Sequence, residues 1–173
     1  MRLTLTALWC GLLCVFLLAK PGARKADGLL SIAGRYVEDT PVGIASIDSF
    51  RFVVYETDSG SYRYFVVTSD FVNLIGYKGY TNLGVLLDDK AGIIKVWIIS
   101  SDDTRHYVNK IKHSGMLDQF CAASKGRPQK TVTGATITSK TICRTIERMK
   151  SILNPKIGEM RDVSTDIRGH QKE

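Results

Sequence analysis

Two stretches of the chain alternate in the way of half-buried strands. Ser49 to Thr57, SFRFVVYET, and Ser61 to Thr68, SYRYFVVT, are rich in aromatic and β-branched residues and flank Asp58-Ser59-Gly60. Such runs around a short Gly-containing turn predict a β-hairpin. A second pair, Tyr80 to Leu87 and Ile93 to Ser100, turns through Asp88-Asp89-Lys90-Ala91-Gly92. Its IIKVWII segment is almost continuously apolar, which predicts a central strand covered on both faces. Upstream, Leu29 to Val37 reads as a further strand.

After Ser101 the period changes from two to helical. Thr104 or Asp103 is placed to cap a helix running to about His113, with Tyr107, Val108 and Ile111 on one side. Met116, Leu117 and Phe120 suggest a short helix, and Lys125 to Lys130, containing Pro128, reads as a polar loop. From Thr138, Ile142, Cys143, Ile146, Met149, Ile152 and Leu153 form one apolar stripe that stops before Pro155. Lys156 to Glu173 has few apolar residues and is expected to be mobile. The expected fold class is therefore α+β, antiparallel hairpins packed with helices.

The first residues do not belong to that pattern. Leu3 to Ala19, LTLTALWCGLLCVFLLA, carries no charge and follows Arg2, as a secretory signal or a membrane anchor would. The expected organisation is a leader over 1–23, a β-rich N-terminal part over 24–75, a functional core over 76–153 and a flexible tail over 154–173. An extracytoplasmic location follows, periplasmic or at the cell surface, with the domain secreted or anchored to the cytoplasmic membrane by the leader. The basic residues Lys20, Arg24 and Lys25 beside the run pull toward a cytoplasmic domain instead, the minority reading.

The remaining 150 or so residues are the size of one domain. Removing the leader takes away Arg2 and Lys20 and no acid, leaving 22 bases against 17 acids. This surplus favours anionic ligands or acidic surfaces and does not by itself make a nucleic-acid binder. Cys10 and Cys14 lie in the leader, so only Cys121 and Cys143 belong to the domain, as a disulfide or as two small buried thiols. His106, His113 and His170 are scattered, and Asp88-Asp89 and Asp102-Asp103 suit turns and caps. The sequence contains no G-x-S-x-G, P-loop or Rossmann fingerprint.

The chemistry is concentrated in Thr131 to Ser139, TVTGATITS, just before the long helix. A helix N-terminus presents unpaired N–H groups and the positive end of the dipole, which suit a phosphate. Hydroxyls there also serve as caps, which is their commoner role.

Thr133-Gly134-Ala135-Thr136, followed by Ile137-Thr138-Ser139, resembles the [ST]-G-A-T-x-T-S signature of the FMN-binding domain family. That family includes the C subunit of sodium-pumping NADH:quinone reductase, the G subunit of the Rnf complex and the flavin domain of nitrous-oxide reductase regulators. Gly76-Tyr77-Lys78-Gly79 is similar to its G-Y-x-G, Asp102 to Val108 to its E-T-P-x-Y-V segment, and Gly115 to Phe120 to its G-F-L-x-Q-F. These segments span about Gly76 to Ile152 in the family's order. Lys130 stands where the family has Asp, Asp103 where it has Glu, and Arg105 where it has Pro.

The resemblance implies an FMN cofactor joined by a phosphoester to Thr136, installed by an FAD:protein FMN transferase. Thr133, Gly134 and Ala135 would shape the turn. N–H groups near Thr138 and Ser139 would hold phosphate oxygens, with Lys130 offsetting charge. Thr104 would contact the flavin, and the loop of Gly76, Tyr77 and Gly79 would form the other wall, with Tyr77 a candidate for stacking. The implied function is an electron carrier that is not an enzyme alone, serving a membrane redox partner protein and binding no nucleic acid. Lys130, reversing the charge of the usual acid, motivates the alternative of an exported binding or regulatory module without covalent flavin.

Overall fold

A computed structural model describes residues 23–121 and 131–170. The leader, the polar loop over 125–130 and Lys130 with it lie outside the described residues. Five strands form one antiparallel sheet in the order β1-β2-β3-β4-β5: Pro41–Ile47, Phe50–Glu56, Tyr62–Val67, Thr81–Leu87 and Ile93–Ser101. Every strand pairs with its neighbours in the chain, as short hairpin turns favour. Five helices accompany the sheet: α1 (Ala23–Ala33), α2 (Arg105–His113), the single turn α3 (Asp118–Cys121), α4 (Thr136–Leu153) and α5 (Ile157–His170).

Period two sorts the strands onto two cores. Phe52, Val54, Tyr64, Val66, Leu83 and Val85 face α2 and α4, burying Val108, Ile111, Ile142, Ile146 and Met149 with them. Val53, Tyr55, Phe65, Val67 and Leu86 face the other way, against Leu29 and Ala33 of α1 and the adjoining Val37. Both hairpins therefore exist as the alternation predicts, within a residue or so at each end.

Several expectations need correction. Leu29 to Val37 is not a strand: Leu29 to Ala33 close α1, a turn follows, and the apolar residues 29, 32, 33, 36 and 37 keep helical spacing onto the sheet. The IIKVWII strand buries Val96 and Ile98 on one face and half-buries Ile94 and Trp97 on the other, but it is an edge, not the centre. The other edge is β1, whose Pro41 opens the strand where no ladder donor is needed. Helix α4 starts at Thr136, two residues before the predicted Thr138, and Ile152 leaves the buried stripe with 36% exposure.

The tail is helical as far as His170. After a short 3-10 turn at Asn154–Lys156, α5 lies on the first core with Met160 at 0% exposure. Cys143 is buried on α4 and Cys121 half-buried on α3, and no disulfide joins them. Among the described residues no helix is long and apolar enough to cross a membrane.

Candidate functional site

Asp103 draws three separate motifs together. Its carboxylate is only 6% exposed and accepts four hydrogen bonds. Oδ2 accepts from the Tyr77 N–H at 2.8 Å and the Thr138 hydroxyl at 2.6 Å. Oδ1 accepts from the Lys78 N–H at 2.9 Å and the Thr104 N–H at 2.7 Å. Burial alone would raise its pKa, but the Thr138 hydroxyl and the three backbone donors reverse that and leave it below the ordinary carboxylate value.

The close wrap explains two glycines. A Cβ on Gly76 would collide with the Asp103 carboxylate, and one on Gly79 would lie 2.5 Å from the Asp102 carbonyl carbon. The loop itself closes through the Gly76 N–H donating to the Gly79 carbonyl at 2.8 Å. Gly76 and Gly79 therefore hold the wall in place from behind and are not among the residues lining the cleft. Thr104 precedes α2 at its N-cap position, without a side-chain cap bond, and also lies outside the lining.

The cleft has a volume of about 190 Å³ and is lined by Tyr77, Tyr107, Gly134, Ala135, Thr136, Ile137 and Thr138. Tyr77 stands edge-on to Tyr107, with ring centroids 5.2 Å apart, and is 48% exposed. Five of the ten residues singled out from the sequence thus meet in one place. Tyr107 and Ile137 were missed: Tyr107 was read as part of an apolar helix face and Ile137 as the variable position of a motif.

The hydroxyls in TVTGATITS divide by role. Ala135 occupies the N-cap of α4, and no side chain caps that helix end. Ser139 is buried, donating to the Ala135 carbonyl at 2.8 Å and accepting from the Val132 N–H at 3.1 Å. Its own N–H donates to the Ala135 carbonyl at 2.9 Å, which corrects the expectation that it holds phosphate. The N–H groups of Thr136, Ile137 and Thr138 come before that first helical bond and have no carbonyl one turn back. Thr133 and Thr136 are exposed.

Gly134 turns the chain into the helix with φ of +76°, a conformation that favours glycine. The Lys110 ammonium of α2 packs against it, 2.5 Å from where a Cβ would stand. Sequence reasoning missed Lys110, although it lies three residues after Tyr107 and so on the same helix face. Among the described residues no group of three or more potential ligands could hold a metal ion.

A cleft with aromatic walls that ends at an uncapped helix start flanked by an ammonium is the form of a phosphate-bearing aromatic cofactor site. The family model of the FMN-binding domain matches residues 76–150. The match indicates FMN as the cofactor of that span and, at a general level, flavin binding and electron transfer. No curated protein and no solved structure matches the chain.

Proposed function

We propose that the chain is an electron-carrying flavoprotein whose FMN is esterified to Thr136. The observation that supports this most is the exposed Thr136 hydroxyl at the first position of α4, a helix end that no side chain caps. A threonine there contributes its oxygen without sacrificing a capping bond. The residues fit the group: the N–H groups of Thr136 to Thr138 and the positive dipole end suit a phosphate, and Tyr77 and Tyr107 offer apolar surface beside it.

In the loading step, Thr136 Oγ forms a bond to the FMN-side phosphorus of FAD, the pyrophosphate bond breaks, AMP leaves, and the hydroxyl proton passes to a base of the transferase. When bound, FMN supplies the transfer of one or two electrons, while the protein supplies position and electrostatics. Asp103 holds the Tyr77 wall and Thr138 at a fixed separation from behind the cleft.

Intact mass after co-expression with an FAD:protein FMN transferase tests the reading. A gain of one FMN less water is expected for the wild type and none for Thr136→Ala. Retention of covalent flavin in that variant would refute the assignment. Lys130, in place of the family's acid, favours a second reading, a module that binds FMN without the ester. Flavin released on denaturation would mark it.

Export or membrane anchoring through the leader, and a membrane redox protein as partner, complete the proposal. They are supported by the apolar run Leu3 to Ala19. Fractionation of cells expressing the full chain tests them, with recovery in the soluble cytoplasm overturning both.

A further inference from the structure

We infer that Lys110 is the charge partner of the FMN phosphate, an inference that rests on the FMN site proposed above and extends it. Two positive elements confront each other at the Gly134 turn. One is the start of α4, with three N–H groups lacking helical acceptors and no acidic residue in its first turn. The other is the Lys110 ammonium, held against the bare face of Gly134. Among the described residues no carboxylate forms an ion pair with Lys110.

The buried acid of the site is Asp103, whose carboxylate is engaged by Tyr77, Lys78, Thr104 and Thr138. It braces the cleft from behind through the Thr138 hydroxyl in the first turn of α4, and among the described residues no ion pair joins it to Lys110. Lys78 adds to the positive side, its ammonium 5.9 Å from the Tyr77 ring centroid. Like-signed groups brought together in this way are stabilised by an anion between them. A phosphate esterified to Thr136 keeps one negative charge and places it at that junction. Lys110 reaches it from α2, so the anion is gripped from two helices and not by the start of one alone. The bare Cα of Gly134 leaves room for the ammonium to approach.

The test compares two ligands that differ only in the phosphate. Apoprotein, made without the transferase, is titrated with FMN and with riboflavin, as wild type, Lys110→Met and Lys110→Arg. Lys110→Met should weaken FMN about tenfold, the scale of one charge-assisted hydrogen bond from an exposed side chain, and leave riboflavin unchanged. Lys110→Arg should restore most of the loss. An unchanged FMN affinity, or an equal loss for riboflavin, would overturn the role of Lys110.

The loaded protein gives a second measurement. The ³¹P resonance of its phosphodiester should shift in Lys110→Met and stay in place in Lys90→Met, a control at the β4–β5 turn. A resonance that both substitutions leave alone would also overturn it. A wild type that neither binds FMN nor is loaded would sink the flavin reading itself, whereas a loaded wild type with an indifferent Lys110 sinks only this inference.

Discussion

A single carboxylate, Asp103, holds the Tyr77 wall of the cleft that Thr136 also lines. Asparagine at this position keeps one acceptor oxygen but turns an amide donor toward donors. Asp103→Asn should therefore cost about 3 kcal/mol, as lost bonds to a buried charged group do. Urea unfolding at neutral pH measures it. The folded pKa of Asp103 lies below its unfolded value, so its contribution is present above the ordinary carboxylate range and disappears as pH falls through the folded value. The gap between wild type and Asp103→Asn should accordingly close in acid.

The sequence made this residue visible only as a turn-and-cap acid and as a motif position standing where the family has Glu, because its importance comes from partners 25, 26 and 35 residues away. Local pattern carries no trace of such reach. Lys110 escaped for the same reason. Gly134 and Thr136, by contrast, were legible because their motif is contiguous.

Elements followed their periodicity wherever packing and propensity agreed. The hairpins and α4 could be read directly. The end of α1 was read as a strand because Leu29 to Val37 is short and apolar, although the spacing of 29, 32 and 33 in the helix, continued by 36 and 37 in the turn after it, fits one helix face. Helix α5 was lost because its apolar residues are sparse, and one of them, Met160, is fully buried. Met160→Ala should cost about 2–5 kcal/mol, as large-to-small changes in a closed core do. A lowered midpoint in a thermal melt followed by circular dichroism checks it; an unaltered midpoint is what a loose tail would give.

For the whole molecule, the sheet separates two cores, and the second is sealed by α1 over Val53, Tyr55 and Phe65. Burial, reinforced by the nearby charge of Asp39, pushes the Tyr55 phenol up to about 12. An unfolded tyrosine ionises near its ordinary value of 10.0, so the stability from keeping this phenol protonated is intact below that value and fades as pH climbs toward 12. Tyr55→Phe should flatten the loss of stability in that alkaline window, as read by denaturant midpoints across the range.

Pairing only between successive strands also orders events in time. Each hairpin needs nothing that has not yet been synthesised, so the sheet can grow behind an advancing chain end with little loop closure to overcome. The exception is the outermost ribbon, β1, which receives its helical cover from α5, near the other end of the polypeptide. Until α5 has been made, the face of β1 that it covers stays open to water, and a nascent chain stalled near residue 155 would be the species most prone to self-association.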